Sequence, residues 1–206
     1  MSSAATPELQ IVSPHSALWR IFDASAKTEL FATALNTDNA TWLIDPIALT
    51  QDALSELKSA QPPVQGIVVT NQNHWRASGA LAEELSVPIF AHAEAHSKDA
   101  PPFTPLNDGQ RLGDFLQVVT IDGAVPGEIA VSAHADCAVM VLGDALINFE
   151  PYGFTFLPRK YCTHYAKMRR SLKRLVEMHA EQIFLAHGLP IVSNTASRLE
   201  ALLDEG

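Results

Sequence analysis

The chain has 206 residues, 47% of them apolar, which is enough to bury one substantial core, and its length fits a single domain over residues 1–206. A formal net charge of −9 repels a polyphosphate backbone and argues against nucleic acid as a partner. Met1 to Gln10 lack a charged start leading into an apolar run, and no stretch approaches the roughly 18 apolar residues of a membrane span, so a soluble, cytoplasmic protein with no membrane partner is expected.

Short apolar and β-branched runs predict strands at Leu30 to Ala34, Thr41 to Ile44, Gly66 to Thr70, Pro88 to Ala91, Leu116 to Ile121, Ile129 to Ala133, Cys137 to Leu142 and Gln182 to Ala186. Helical spacing of apolar residues predicts helices near Gln51 to Lys58, Arg76 to Leu85, Thr163 to His179 and Thr195 to Leu203. Gln61-Pro62-Pro63 and Ala100-Pro101-Pro102 read as loops, and no repeat or low-complexity linker divides the chain. Hairpins, such as the one around His134-Ala135-Asp136, precede strand-helix-strand units. A purely parallel doubly wound sheet therefore fits poorly, and two mixed sheets covered by helices fit better.

Cys137 and Cys162 have neither metal-ligand spacing nor the density of a disulfide scaffold, so they read as small core residues. Lys167, Arg169, Arg170, Lys173 and Arg174 alternate with Tyr165, Met168, Leu172 and Leu175, which predicts the solvated face of an amphipathic helix. His92 and His96 are spaced four apart but follow a strand, and His134 and Asp136 fall at a turn. Neither pair predicts a metal site.

Several segments in sequence order resemble signatures of the metallo-β-lactamase superfamily, over about residues 18–203. Thr41-Trp42-Leu43-Ile44-Asp45-Pro46 resembles its early strand ending in Asp-Pro or Asp-Thr. Thr70 to Gly79 lies where the family carries Thr-His-x-His-x-Asp-His-x-Gly-Gly. The family's histidines then fall on Asn71, Asn73 and Arg76, its aspartate on Trp75, and its glycine pair on Ser78 and Gly79. Asp122 to Ala130 resembles Pro-Gly-His-Thr-Pro-Gly-Glu-Ile-Ala, with the ligand histidine falling on Ala124. Leu142-Gly143-Asp144-Ala145-Leu146 is similar to the segment whose aspartate bridges two metals, and Ala186-His187-Gly188-Leu189-Pro190 to the closing Gly-His-Gly-x-Pro. A Thr-Asn-x-x-His-x-Arg run, matched by Thr70, Asn71, His74 and Arg76, is similar to a divergent branch of that family. The resemblance implies a four-layer αββα sandwich of two mixed β-sheets flanked by helices, in the α/β (α+β) class.

A catalytic zinc needs about three His, Cys or carboxylate ligands and an open position, and in the matched positions only Asp144 and His187 survive. Asn71 and Asn73 offer only neutral amide oxygens, the weaker donors for zinc. Three readings follow. In the first, the protein has no metal cofactor, Arg76 pairs with Asp144 in place of a divalent ion, and Asn71, Asn73 and Arg76 bind a small anionic ligand or a partner in the old cleft. In the second, zinc or another divalent metal sits in a rearranged site. There Asp144 and His187, with some combination of Asn71, Asn73 and His74, hydrolyse an ester, thioester or lactone. A third possibility is an interaction module in which Asp144 and His187 only hold loops. His74 is either an acid/base group in the cleft or a hydrogen-bonded residue beneath the loop, and Trp75 fills a cavity. A Ser78 nucleophile is disfavoured because no Gly-x-Ser-x-Gly elbow surrounds it.

Overall fold

The computed structural model describes residues 9–37, 39–59, 62–113, 115–134 and 138–204. Its strands are β1 Gln10–Ser13, β2 Ser16–Asp23, β3 Thr28–Asn36, β4 Thr41–Ile44, β5 Val64–Val69, β6 Ile89–His92, β7 Thr104–Leu106, β8 Arg111–Leu112, β9 Leu116–Thr120, β10 Ile129–His134, β11 Ala138–Leu142, β12 Leu146–Phe149, β13 Gly153–Phe156 and β14 Gln182–Leu185. The α-helices are α1 Gln51–Ser59, α2 Ser78–Leu85, α3 Tyr165–Leu172 and α4 Thr195–Asp204.

Seven strands form one sheet in the order β1-β2-β3-β4-β5-β6-β7, antiparallel up to β4 and parallel from β4 onward. Five form a second sheet in the order β14-β11-β10-β9-β8, antiparallel except for the parallel pair β11 and β14. β12 and β13 make a separate hairpin. Three apolar clusters separate the layers. Leu35, Ile44 and Val68 meet Leu116, Val131 and Phe184 between the two sheets. Leu43, Ile67 and Val69 pack outward against Leu54, Leu57 and Leu81 of α1 and α2, and Met140, Leu142 and Ile183 pack outward against Met168, Leu172 and Leu199 of α3 and α4. The result is the expected four-layer αββα sandwich. β4, β5, β11 and β14 are buried on both faces, which is why they read as continuous apolar runs.

The expected strands and helices are all present, with shifts at their ends. α2 begins at Ser78, because Arg76 adopts a left-handed φ of 36° that no continuing helix allows. The long helix expected at Thr163 to His179 is divided: α3 ends at Leu172, and a 3-10 turn over Lys173–Met178 closes on His179 at φ 47°. Its cations line a solvated face, with Lys167 on Asp122 and Arg174 on Asp108. β10 and β11 pair as the expected antiparallel hairpin, while Ala135, Asp136 and Cys137 at its tip, like Gln61, lie outside the described residues. Cys162 is half-buried, with its thiol directed to Leu157 O at 3.6 Å. Among the described residues, no helix is long and apolar enough to cross a membrane.

Candidate metal centre

Four strand ends converge at one edge of the sandwich. β4 runs into Asp45, β5 into Thr70 to His74, β11 into Gly143-Asp144, and β14 into Ala186-His187. β4 and β5 are parallel, as are β11 and β14, so the carboxyl ends of both pairs open on the same loops. Ligands of open α/β sheets bind outside such carboxyl ends.

Asp45 is buried, with φ 49°, and its Oδ1 accepts the Thr70 backbone N–H at 2.8 Å. Its Oδ2 accepts the Thr70 hydroxyl at 2.5 Å and lies 2.8 Å from His74 Nδ1. That contact places the ring's single neutral-state proton on Nδ1 and leaves Nε2 as a lone pair. His187 is arranged the same way: its Nδ1 lies 3.3 Å from the carbonyl oxygen of Glu29, an atom that can only accept. Both Nε2 atoms lie 3.2 Å from one atom, Asp144 Oδ1. The His74 Nε2 is buried and makes no hydrogen bond of acceptable geometry. His74 Nε2, His187 Nε2 and Asp144 Oδ1 thus converge, and the ligand atoms of His74, Asp144 and His187 all lie within 4.8 Å of one another. Ligands about 2.0–2.1 Å from one tetrahedral ion are spaced at roughly 3.3 Å, which the two separations from Asp144 Oδ1 match, so the three residues could hold one divalent ion.

The other oxygen of Asp144 faces the opposite way. Asn71 Nδ2 donates to Asp144 Oδ2 at 3.2 Å and to Glu128 Oε2 at 2.8 Å, while Asn71 Oδ1 accepts the Asn73 backbone N–H at 2.9 Å. Every polar end of the Asn71 amide is therefore engaged within the protein. Glu128 Oε1 accepts the Ala145 backbone N–H at 2.9 Å. Gly143 makes this packing possible: a Cβ there would stand 2.5 Å from Thr70 Oγ1 and 2.8 Å from both Asn71 Nδ2 and Glu128 Oε1. Ala124 is fully buried in the apolar core beside α3, and the Asn73 side chain is exposed. Of the positions on which the resemblance places further histidine ligands, Asn71 thus carries a fully engaged amide, Asn73 an exposed one and Ala124 a buried methyl group.

Charges follow this geometry. Burial and the Arg76 charge oppose protonation of His74, but Asp144 and Asp45 outweigh them and raise its pKa to about 9. Burial likewise pushes both aspartates up, yet His74 holds Asp45 below the usual carboxylate range and, with His187, holds Asp144 well below it. Burial, followed by the Asp144 charge, lifts Glu128 to about 8, so it is neutral at pH 7.

The expected Arg76–Asp144 pair does not form. Arg76 Nη1 donates to the backbone carbonyls of Phe31 at 2.7 Å and Asp45 at 3.1 Å, and its Nη2 is buried without a partner. The left-handed backbone at Arg76 accompanies this course, which carries the side chain to the peptide of Asp45 rather than to Asp144. Of the residues singled out from sequence, Asp144, His187, His74 and Asn71 are brought together, Arg76 lies behind Asp45, and Asn73 points away. Trp75 is buried, donating from Nε1 to Ala95 O at 2.9 Å and packing on Phe103, as a cavity filler should. The Ser78 hydroxyl is buried and makes no hydrogen bond. His92 accepts the Glu94 N–H and His96 stacks on Phe103, so the two flank a 3-10 turn and are not held toward a common ion.

Sequence reasoning missed Asp45 and Glu128 as site residues. Asp45 was visible only as the end of a strand, and Glu128 only as part of the Gly-Glu-Ile-Ala frame.

A family model described as the metallo-β-lactamase superfamily matches residues 10–205. No curated protein matches the chain. Among solved structures, the DIM-1 metallo-β-lactamase superposes with a TM-score of 0.79 at 12% identity, covering 98% of this chain and 99% of that one. A metallo-β-lactamase from Pontibacter korlensis gives 0.74 at 16% identity, covering 98% and 100%. A metallo-β-lactamase family protein from Thermus thermophilus gives 0.68 at 19%, covering 94% and 80%. At these identities the structures speak for the fold alone, and the family model carries membership: the chain belongs to the metallo-β-lactamase superfamily.

Proposed function

We propose that this protein is a metal-dependent hydrolase of an ester, thioester or lactone, with His74, Asp144 and His187 holding one divalent ion. The observation that carries this reading is the convergence of two Nε2 atoms on a single carboxylate oxygen, with Nδ1 of both rings turned to acceptors. Two imidazoles and a carboxylate are a donor set that suits zinc or iron(II). A bound ion would supply Lewis-acid polarisation of a carbonyl oxygen.

The chain's own residues perform the positioning. Asp45 fixes the tautomer and orientation of His74, the Glu29 carbonyl does so for His187, and the carboxylate behind an imidazole raises its basicity as a ligand. Asn71 holds Asp144 Oδ2, so that one carboxylate oxygen faces the imidazoles. His187, with 18% of its side chain exposed, is the member of the set nearest solvent and gives a substrate its approach.

The second reading dispenses with the ion and uses the old cleft for a small anionic ligand or a partner. It draws on charge balance: a protonated His74 and Arg76 offset Asp45 and Asp144 without a metal.

The two readings separate on protein treated with chelator and then reconstituted with zinc, iron(II) or manganese, and assayed against esters, thioesters and lactones. The hydrolase reading predicts turnover only after reconstitution, and none in Asp144→Ala. Turnover that is indifferent to the ion, or absent with every ion despite its binding, would reject it.

A further inference from the structure

Arg76 is a charged group beside the centre to which the hydrolase reading gives no part. Its Nη1 stands between two strand ends. The antiparallel pairing of β3 with β4 stops at Thr33 and Ile44, and just past it the carbonyls of Phe31 on β3 and of Asp45 after β4 both receive Arg76 Nη1, at 2.7 and 3.1 Å. The two N–H groups of that one nitrogen thus close a ladder that the strands themselves leave open. The next residue adds a second grip on the same turn, since Ala77 N donates to Pro46 O.

Each of these strand ends supports one imidazole. Asp45 carries the carboxylate that lies against His74 Nδ1, on a backbone held at φ 49°, a conformation that a non-glycine residue keeps only where its surroundings fix it. Arg76, itself at φ 36°, supplies part of that fixing by binding the Asp45 carbonyl. On the other side, Phe31 N donates to Ala186 O at 3.0 Å, from the seven-stranded sheet across to the chain leaving the five-stranded one. Glu29 O, two residues earlier on β3, lies 3.3 Å from His187 Nδ1. The guanidinium is therefore one hydrogen bond away from the support of each ring.

We propose that Arg76 is a positioning residue that sets the spacing of His74 and His187 by tying the Asp45 peptide to β3, an inference that rests on the hydrolase reading for the ion the two rings would share. Charge alone would act the other way. The Arg76 cation opposes protonation of His74 and repels a divalent ion for the same reason, so a positioning role and a charge role differ in sign. Lysine in its place keeps the charge and loses the planar, pre-organised donors.

The test uses Arg76→Lys and Arg76→Met in the full chain. Cobalt(II) titrations followed by visible absorption should show both variants binding about 10- to 100-fold more weakly than the parent, with an altered ligand-field spectrum, as when the support behind a ligating imidazole is lost. Affinity unchanged in either variant, or tighter in Arg76→Met, would overturn the proposal. Amide exchange on the metal-free proteins is a second readout that needs no ion. In both variants the Phe31 amide, bonded to Ala186 O, should exchange about tenfold faster relative to the Val131 and Met140 amides at the centre of the five-stranded sheet. A Phe31 rate that keeps its parent ratio to theirs would also overturn the proposal. A parent that takes up no cobalt would instead reject the hydrolase reading, and the Phe31 exchange would then decide whether Arg76 holds the two supports.

Discussion

Asp45 Oδ2 lies 2.8 Å from Nδ1 of His74, and that one contact decides which nitrogen the ring turns toward Asp144. Replacement of the carboxylate by an amide leaves the shape and removes the obligate acceptor. Asp45→Asn should therefore weaken zinc binding about 10- to 100-fold, the usual cost of losing the group behind a ligating imidazole. Titration calorimetry on the variant measures this. An unchanged affinity would mean that His74 is not a ligand.

Metal binding should release a proton and strengthen with pH. In the metal-free protein the two flanking aspartates raise His74 to about 9, so at neutral pH an incoming ion displaces a proton from Nε2. Affinity should climb through the neutral range and level off near pH 9. Calorimetry in buffers of different ionisation enthalpy counts the released proton.

The stability of the metal-free protein should move in the opposite direction. The folded pKa of His74, about 9, lies above its ordinary 6.5, so its stabilising contribution is complete below 6.5 and lost as pH rises through 9. Glu128 also binds its proton more tightly when folded, about 8 against 4.5, so it adds a loss of stability between those values. Urea titrations across pH should show both losses. Glu128→Gln should abolish the lower one and leave the upper.

Asn71→Leu removes the amide that joins Asp144 to Glu128 and leaves acceptors of both unsatisfied in a buried setting. The expected loss is about 1–3 kcal/mol per stranded group, read from denaturant midpoints. Zinc affinity should fall with it, because Asp144 is then free to rotate.

Gly143→Ala tests the packing directly. The added methyl would meet Thr70, Asn71 and Glu128 atoms at 2.5–2.8 Å, all belonging to short or hydrogen-bonded groups that cannot retreat. A lower melting temperature together with impaired zinc binding is expected, and a neutral effect would show that the loop is looser than its contacts imply.

The strands that deliver the site were legible because they are buried on both faces: Gly66 to Thr70 and Val139 to Leu142 are continuous buried runs. β1, β7 with Pro105 inside it, two-residue β8, and β12 and β13 on either side of Pro151 were not, since such short segments carry no period to read, and neither was β2, whose burial runs continuously from Ser16 to Trp19 and alternates only beyond Arg20. In the site, Asp144 and His187 were visible because their glycine-flanked frames are kept. His74 was visible only as a residue between two lost ligand positions. Its ligand-like setting depends on Asp45, 29 residues earlier, and no spacing rule connects the two. Arg76 was misassigned to Asp144 because a left-handed residue sends its side chain where a helical reading does not.

The central claim, that His74, Asp144 and His187 hold an ion, is tested most directly by elemental analysis of untagged protein purified without chelator, beside His74→Ala prepared in the same way. About one equivalent of zinc, iron or manganese per chain is expected in the parent and less than about a tenth in the variant. A metal-free parent that does not take up an ion on reconstitution, or equal metal content in both proteins, would contradict it.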